Sequence, residues 1–328
     1  MSAETPVCQL LERQDADYRG WLWVAPPRDG WLESGEGRLL AADQALLSAW
    51  RARGRPAGSP FEAEMPAPPG VVLFWPKAHA LGEWWLLWLC AHLPVGTPLQ
   101  VVGEHQGGIK RVLKVLAALG LGCRKVDSAR RCTLFASRLD RVGLDPEAAW
   151  TSFEAEGLTL ASHPGVFGHG KLDAGTQLLL SRLPGVLPET GQVLDLGCGD
   201  GILAAWLARR GLSVTAVDVN GFAVEATRRS LAANGLAGEV RAGDVFAELE
   251  GRRFDAIVSN PPFHQERAVD YGPAGRLIRG APEHLVPGGR LVLVANAFLP
   301  YPDLLERAFG GFEILADDRR FRVYSART

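Results

Sequence analysis

The stretch VLDLGCGDG at residues 193–201 decides the fold, together with VTAVDVN at 214–220 and SNPPF at 259–263. Its apolar start contains Asp195, and glycines follow at positions 197, 199 and 201. The pattern predicts a buried strand, a tight turn and a helix that begins near Asp200, because a chain that bends sharply beside a ligand has no room for side chains. A glycine pattern by itself is a weak signal, so its meaning depends on the residues that follow.

The next predicted strand, SVTAVD at 213–218, ends in an acid 23 residues after Asp195. In nucleotide-binding α/β folds, an acid at this point accepts hydrogen bonds from both ribose hydroxyls. Asp218 could instead cap the helix predicted for 221–234, but Asn220 can fill that role. Because the glycine turn lies upstream, we favour ribose binding by Asp218.

The third strand is predicted within GEVRAGDVF at 238–246, and Asp244 lies just past its end. A carboxylate here can accept a hydrogen bond from an adenine amino group, and the backbone N–H of Val245 can reach a ring nitrogen. With the glycine turn, represented by Gly197 and Gly199, these residues predict a site for an adenosyl ligand.

Further strands are predicted at 254–260 and at 290–296, the second after a helix that stops at Pro287, Gly288 and Gly289. The strands predicted at 312–317 and 321–326 are close enough to form an antiparallel hairpin at one edge. Strand–helix units that end in such a hairpin match the seven-stranded sheet of adenosylmethionine-dependent methyltransferases. Dehydrogenases normally lack the hairpin.

The tetrapeptide Asn260, Pro261, Pro262 and Phe263 follows the fourth of these strands. Ligands in open α/β sheets bind at the carboxyl ends of strands, so this segment faces the same crevice as the glycine turn. The Asn260 side-chain oxygen and the Pro261 carbonyl can both accept hydrogen bonds from an exocyclic amino group, and Phe263 offers a stacking surface. Since a sulfonium methyl is already activated, positioning of the amine supplies most of the catalysis.

Residues 1–155 also alternate between predicted strands and helices, with strands at 71–77, 98–104 and 130–139 and helices at 79–92 and 109–119. This alternation predicts a second α/β layer sandwich. The turn VVGEHQGG at 101–108 lies between a strand and a helix, where a cofactor-binding turn would be, but it lacks closely spaced glycines. We interpret this half as a similar fold without a cofactor site.

The formal net charge of −2 gives no global electrostatic argument for a nucleic-acid partner, so any such partner must be held by a local patch. The stretch 104–141 contains nine lysines and arginines against three acids. A solvated helix face and a phosphate-binding face explain this basic stretch equally well.

Five cysteines, with no C-x-x-C pair, indicate neither a metal site nor a disulfide framework, which suits a reducing compartment. The amino terminus shows no signal peptide, and the most apolar run, at 81–91, is too short to span a bilayer. We therefore expect a cytoplasmic protein with no membrane association.

Several longer motifs resemble those of one known family, bacterial ribosomal RNA small subunit methyltransferase C. They are HPGVFGHGKLDAGTQLLL at 163–180, VLDLGCGDG at 193–201, SNPPFH at 259–264, VANAFLPYPDLL at 294–305 and RFRVY at 320–324. The resemblance covers 157–328 and extends more weakly to the first half through WPK at 75–77 and PVGTPLQVVGE at 94–104.

The resemblance implies two tandem Rossmann-like methyltransferase domains: a degenerate one at 1–155, with a structural or RNA-binding role, and a catalytic one at 156–328. It implies S-adenosyl-L-methionine as donor and a guanine N2 of 16S rRNA, free or in the 30S subunit, as acceptor. We also expect a monomer. Carried over by position, the cofactor residues are Asp195, Gly197, Gly199, Asp218, Asp244 and Val245, and the residues at the target amine are Asn260, Pro261, Pro262 and Phe263.

Two positions depart from the family's pattern, with His163 in place of the usual Leu and Gln265 after the Phe–His pair. Gln265 resembles the guanine-N2 enzyme of the large subunit, so methylation of 23S rRNA stays an alternative, whereas VANAFLPYPD favours the small-subunit enzyme. A protein glutamine methyltransferase would need the same hydrogen-bond acceptors, but such enzymes usually carry Tyr where this chain has Phe263. A non-catalytic RNA-binding assembly factor would not need the glycine turn and Asp218.

Overall fold

The computed structural model describes residues 2–62, 66–261 and 272–328. The chain divides into two compact units, Met1–Trp150 and Thr151–Thr328. Each unit contains one seven-stranded mixed sheet with helices in its connections, and the second unit adds a two-stranded hairpin. The predicted fold class, two tandem Rossmann-like domains, is therefore confirmed. None of the described helices is both long enough and apolar enough to cross a membrane.

The first unit contains short strands and helices at its start and longer ones later in the chain. Its strands are β1 (Leu22–Val24), β2 (Arg38–Leu40), β3 (Ala57–Gly58), β4 (Val71–Phe74), β5 (Pro98–Glu104), β6 (Arg124–Ala129) and β7 (Cys132–Arg138). Its helices are α1 (Pro6–Glu12), α2 (Gly30–Ser34), α3 (Gln44–Ala52), α4 (His79–His92) and α5 (Val112–Ala118).

The second unit begins with a hairpin and then alternates strands and helices. Its strands are β8 (Thr151–Ala155), β9 (Leu158–Ser162), β10 (Gln192–Leu196), β11 (Ser213–Asp218), β12 (Glu239–Ala242), β13 (Phe254–Ser259), β14 (Leu285–Asn296), β15 (Glu313–Asp317) and β16 (Phe321–Arg327). Its helices are α6 (Ala174–Leu180), α7 (Ile202–Arg209), α8 (Gly221–Ala233), α9 (Pro273–Gly280) and α10 (Tyr301–Phe309).

The two large sheets share one strand order. It runs β3-β2-β1-β4-β5-β7-β6 in the first unit and β12-β11-β10-β13-β14-β16-β15 in the second. In both sheets, the first five strands along the chain are parallel, and the last two form an antiparallel hairpin at one edge. The hairpin predicted for the carboxyl-terminal edge is thus confirmed, and the first unit repeats it.

Both faces of the second unit's sheet are covered, which explains why its central strands are buried along most of their length. One core cluster includes Leu203 and Trp206 of α7, and the other includes Leu277 of α9 and Leu305 of α10. The helices begin where the sequence places capping residues: Asp173 accepts a hydrogen bond from Thr176 N–H, and Asn220 caps α8.

Three details differ from the sequence-based expectation. The helix predicted to stop at Pro287 ends earlier, since α9 ends at Gly280 and a short 3₁₀ turn leads into β14, whose irregular start contains residues 287–289. The strands β1, β2 and β3 have only three, three and two residues, too few to leave a periodic signal. The turn at 101–108 follows β5, which has the position of β14 in the second sheet. It therefore does not correspond to the glycine turn, because that turn follows the central strand β10.

The turn in the first unit that does correspond follows β1, and an internal hydrogen-bond network occupies it. The buried Asp29 accepts hydrogen bonds from the backbone of Glu4, Thr5 and Trp31 and from the Thr5 hydroxyl. These bonds hold the pKa of Asp29 below its ordinary value despite its burial. The Asp29 carboxylate therefore holds residues Glu4 and Thr5 against this turn.

Strand β4 has the position in the first sheet that β13 has in the second. The residue that follows β4, Trp75, therefore corresponds to Asn260, which follows β13. The Trp75 side chain is 6% exposed and lies so close to Gly82 and Gly103 that a Cβ at either glycine would come within 3.0 Å of it. An indole donates a hydrogen bond but accepts none. The first unit therefore lacks the side-chain acceptor that the second unit has at this point of the sheet.

We expect Gly201→Ala to destabilise the protein more than Gly211→Ala. Both glycines have φ of +86°, which costs any other residue about 1–2 kcal/mol. A Cβ at Gly201 would lie 2.8 Å from the Thr227 Cα, where α7 meets α8, whereas a Cβ at Gly211 would meet no described atom within 4 Å. Overpacking should therefore cost Gly201→Ala about 1–3 kcal/mol more. Urea unfolding of both variants measures this difference, and equal losses would contradict the steric argument.

Candidate active site

The glycine turn after β10 is open toward the carboxyl edge of the sheet. Gly197 and Gly199 have φ of +83° and +56°, in the left-handed region that glycine adopts without strain. The backbone N–H groups of Gly197 and Cys198 donate to Val217 of β11 at 2.8 and 3.1 Å. Among the described residues, a Cβ at Gly199 would meet no atom within 4 Å, and one at Gly197 would meet the Asn260 carbonyl oxygen alone, at 3.9 Å. The turn is therefore fixed to β11 and faces Asn260.

Asp218, at the end of β11, braces this turn. Its two carboxylate oxygens accept hydrogen bonds from the backbone N–H of Gly199 at 3.0 Å and of Asn220 at 2.9 Å. The side chain that caps α8 is Asn220, whose Oδ1 accepts a hydrogen bond from Phe222 N–H, so the cap alternative for Asp218 is wrong. Each Asp218 oxygen retains a lone pair that can accept a hydroxyl group of a ligand.

Asp195 is fully buried, and neither of its carboxylate oxygens has a hydrogen-bond partner among the described residues. Burial, together with the negative charge of Asp218, raises its pKa to about 8, although the nearby backbone N–H of Ala204 acts in the opposite direction. Burial likewise raises the pKa of Asp200 to about 6 and that of Asp218 above its ordinary value. This cluster of three acids favours a cationic ligand, because a positive charge would compensate their burial.

Asp244 and Val245 lie beyond the end of β12. Both oxygens of Asp244 pair with the guanidinium of Arg276 in α9, at 2.7 and 2.8 Å. Val245 has φ of +57°, an unusual conformation for a β-branched residue, and its N–H donates to no acceptor in the described parts of the chain. Backbone strain of this kind is found where a group is held for a ligand. Sequence reasoning missed Arg276, since nothing local marks a partner 32 positions from Asp244.

Asn260 directly follows β13, and its amide is held from one side only. Its Nδ2 donates to Asp173 Oδ2 at 3.0 Å and to Thr176 Oγ1 at 2.8 Å. Its Oδ1 is buried and accepts no hydrogen bond from any described residue. A buried amide oxygen without a donor is costly, so the site is built to receive one.

Pro261 is buried beside Asn260, whereas Pro262 and Phe263 lie outside the described residues, as does Gln265. His163, one of the two departures from the family's pattern, stacks on Phe222 with ring centroids 4.6 Å apart. Burial lowers its pKa to about 3, which makes it a neutral packing residue. No group of three or more potential metal ligands occurs in the part of the chain that the structure describes.

Comparison with known proteins identifies the family. The ribosomal RNA small subunit methyltransferase C of Chromohalobacter salexigens is 70% identical over 329 residues, covering 99% of this chain and 98% of the relative. The protein of the same name from Escherichia coli K12 is 40% identical over 339 residues, covering 99% and 97%. The chain belongs to the ribosomal RNA small subunit methyltransferase C family.

Domain and structure comparisons agree with this membership. The family described as methyltransferase small domain matches residues 157–325, and its amino-terminal counterpart matches 51–152. A solved structure, the T. thermophilus 16S rRNA N2 G1207 methyltransferase in complex with AdoMet and guanosine, is 32% identical with a TM-score of 0.86. The match covers 99% of this chain and 92% of that one. This chain therefore shares the fold of that solved structure over nearly its full length.

The raised pKa of Asp195 predicts a pH-dependent stability. A carboxyl whose pKa rises from 3.8 to about 8 on folding stabilises the protein while it is protonated, and this contribution is lost as the pH rises toward 8. The free energy of unfolding of the wild type should therefore fall relative to that of Asp195→Asn between about pH 5 and pH 8. The slope should be up to about 1.4 kcal/mol per pH unit.

Urea unfolding at several pH values measures this difference. Asp303→Asn, at an exposed position on α10, controls for the removal of one carboxylate elsewhere. Parallel stability curves for the wild type and Asp195→Asn would refute the assignment.

Proposed function

We propose that this protein transfers a methyl group from S-adenosyl-L-methionine to the exocyclic N2 of a guanine in 16S rRNA. The observation that carries the proposal is the buried Asn260 Oδ1, which has no donor among the described residues and lies at the same sheet edge as the open glycine turn. An exocyclic amino group supplies the missing donor. The relative of known structure was solved with AdoMet and guanosine, a donor and an acceptor of this chemistry.

The residues at the carboxyl ends of β10, β11 and β12 fit the donor. The turn at Gly197 and Gly199 leaves room for a ligand, and Asp218 has lone pairs for two ribose hydroxyls. The N–H of Val245, which has no acceptor in the described parts of the chain, suits an adenine ring nitrogen, and Asp244 retains acceptor capacity for the adenine amino group beside its pair with Arg276. The positive charge of the donor would favour the ionised forms of Asp195 and Asp200, because it would compensate the burial that raises their pKa values. The bound donor supplies an activated methyl group.

Asn260 and Pro261 would orient the acceptor. The two hydrogens of the guanine amino group would be accepted by Asn260 Oδ1 and the Pro261 carbonyl, which directs the nitrogen lone pair out of the base plane toward the methyl group. Correct alignment of this kind replaces a strong base as the source of rate enhancement. The target guanine must leave its stack to reach Asn260, which costs a few kcal/mol. Stacking of the base on Phe263, next to Pro262, stays a prediction from the sequence.

The first unit, without the acceptor that Asn260 provides in the second, would serve to hold RNA. All nine lysines and arginines of the basic stretch 104–141 are exposed, and none forms an ion pair with a carboxylate of the described residues. Unpaired exposed cations are available for phosphates. A monomer acting in the cytoplasm on 16S rRNA or the 30S subunit is consistent with this arrangement.

We expect Asn260→Ala to reduce methyl transfer by at least about a thousandfold while the affinity for S-adenosylmethionine changes less than about threefold. The variant lacks the acceptor for the target amine, an interaction strongest as the amine is aligned, and keeps the glycine turn and Asp218. Transfer of labelled methyl groups to 30S subunits, 50S subunits and free rRNA, with calorimetry of donor binding, measures both quantities. Full activity of the variant would refute the proposal. Methylation of 50S subunits only, by the wild type, would show that the substrate is 23S rRNA and not 16S rRNA.

Reversal of three basic residues, Lys110→Glu, Arg111→Glu and Lys114→Glu, should weaken RNA binding about tenfold or more and leave donor affinity unchanged. The slope of log affinity against log salt should fall by about one for each phosphate that the variant no longer binds. Filter binding of 16S rRNA at several salt concentrations measures this slope.

A control with the same change in net charge, Arg28→Glu, Arg182→Glu and Arg307→Glu, alters exposed arginines outside the basic stretch. An equal loss of RNA binding in the control would show a net-charge effect and contradict the local patch.

A further inference from the structure

The amide of Asn260 depends on two residues that lie 87 and 84 positions earlier in the chain. Asp173 and Thr176, at the start of α6, accept both hydrogen bonds that the Asn260 Nδ2 donates, at 3.0 and 2.8 Å. We propose that Asp173 and Thr176 are positioning residues for methyl transfer, which fix the Asn260 amide so that Oδ1 faces the target amine. The inference rests on the proposed function, since it assigns the amide oxygen a donor in the substrate.

An asparagine at this point needs to be held. A half-turn about its Cβ–Cγ bond exchanges the amide oxygen and nitrogen, which are nearly equal in size and opposite in hydrogen-bonding character. In the exchanged orientation a donor would face the amino group of the substrate, and the lone pair would no longer be aligned. A free asparagine side chain would therefore spend part of its time in a non-productive orientation.

The chemistry of Asp173 removes that freedom. An ionised carboxylate only accepts hydrogen bonds, so the NH₂ side of Asn260 must face it. Exchange of the amide would place Oδ1 about 3 Å from Asp173 Oδ2, and two acceptors at that distance repel. Thr176 Oγ1 accepts the second proton of the same NH₂ group and so fixes the plane of the amide.

The positioning pair is itself rigid. Asp173 Oδ2 also accepts a hydrogen bond from Thr176 N–H at 3.1 Å, which caps α6, and Thr176 is 7% exposed. Gly175 provides the space for this arrangement, because a Cβ there would lie 3.0 Å from Asp173 Oδ2. Leu179 and Leu180 anchor α6 in the core of the second unit. A rigid support of this kind keeps a site residue within the narrow range of productive geometries.

The negative charge of Asp173 has a second effect on the Asn260 oxygen. A hydrogen bond from an amide NH₂ to a carboxylate is charge-assisted and polarises the amide, so its oxygen becomes a stronger acceptor. As the N2 lone pair takes the methyl group, the S–C bond of the donor would break and S-adenosyl-L-homocysteine would leave. The amine would carry positive charge until it loses one proton to water, and a stronger acceptor stabilises that charge. Removal of the Asp173 charge should therefore lower kcat more than it weakens substrate binding.

The first experiment compares conservative variants of the two positioning residues. Asp173→Asn retains a capping oxygen for α6 and removes the charge. Thr176→Val removes the hydroxyl at nearly constant shape, and Thr176→Ser restores it. We expect kcat to fall about tenfold or more in Asp173→Asn and about threefold or more in Thr176→Val, with most of the activity recovered in Thr176→Ser. The affinity for S-adenosylmethionine and the urea midpoint should stay close to those of the wild type in Asp173→Asn.

The second experiment exchanges the polarity of the pair. Asn260→Asp places a second carboxylate beside Asp173 and should abolish transfer. Adding Asp173→Asn to that variant lets the new amide turn its NH₂ group toward the new carboxylate, at the cost of the α6 cap that the same atom of residue 173 accepts from Thr176 N–H in the wild type, and leaves one carboxylate oxygen facing the target amine. We expect the double variant to be at least about tenfold faster than Asn260→Asp, which a purely structural role of Asp173 would not produce.

The outcomes separate this inference from the function on which it rests. If Asn260→Ala is inactive while Asp173→Asn and Thr176→Val keep a wild-type kcat, the positioning role is wrong and the proposed function stands. A fall in kcat matched by an equal fall in donor affinity or in stability would also overturn the inference, as would a double variant no faster than Asn260→Asp. If the wild type transfers no methyl group to guanine N2, the proposed function fails first and the inference fails with it.

Discussion

The site depends on the parallel pairing of β10 with β11 on one side and β13 on the other. The register places Asp195 opposite Ala216 and Val258, so the chain leaves all three strands at the same edge of the sheet. Gly197 and Cys198 extend this pairing by donating to Val217, beyond the last regular pair. Without that register, the glycine turn and Asn260 would not share a crevice.

Two kinds of polar group at this edge lack compensation from the described residues, and both indicate what should bind. The buried acids Asp195 and Asp200 have raised pKa values because burial disfavours their charged form, and a cation would relieve that cost. The Asn260 Oδ1 and the Val245 N–H lack partners in the described residues, and a neutral base can satisfy both kinds of group. The same crevice thus has one region suited to a sulfonium and another suited to nucleobases.

The two units show how one topology can serve different purposes. Both sheets have the same strand order, yet the first has Trp75 where the second has Asn260, and its corresponding turn contains Asp29 already bonded to Glu4, Thr5 and Trp31. A donor-only indole and a carboxylate that already accepts several internal hydrogen bonds have little left to offer a ligand. Function in such folds is therefore decided by the residues at the strand ends and not by the strand order.

The sequence by itself determined the features that local chemistry dictates. Closely spaced glycines require a turn, apolar runs of about five or six residues favour buried strands, and Asp173 and Asn220 cap helices through hydrogen bonds to residues a few positions away. Because these patterns show where each strand ends, the residues alone also assign the acid at the end of β11 and the tetrapeptide after β13 to the carboxyl edge of the sheet.

Only the tertiary structure decided which distant residues complete the site. The pairs Asn260–Asp173 and Asp244–Arg276 join positions 87 and 32 residues apart, and no local pattern encodes such contacts, because they depend on how the helices pack on the sheet. It also decided which turn of the first unit corresponds to the glycine turn, since the strands around it are too short for their periodicity to be visible. Local bonding fixes the elements, and packing between elements fixes the orientation of the groups that act on a substrate.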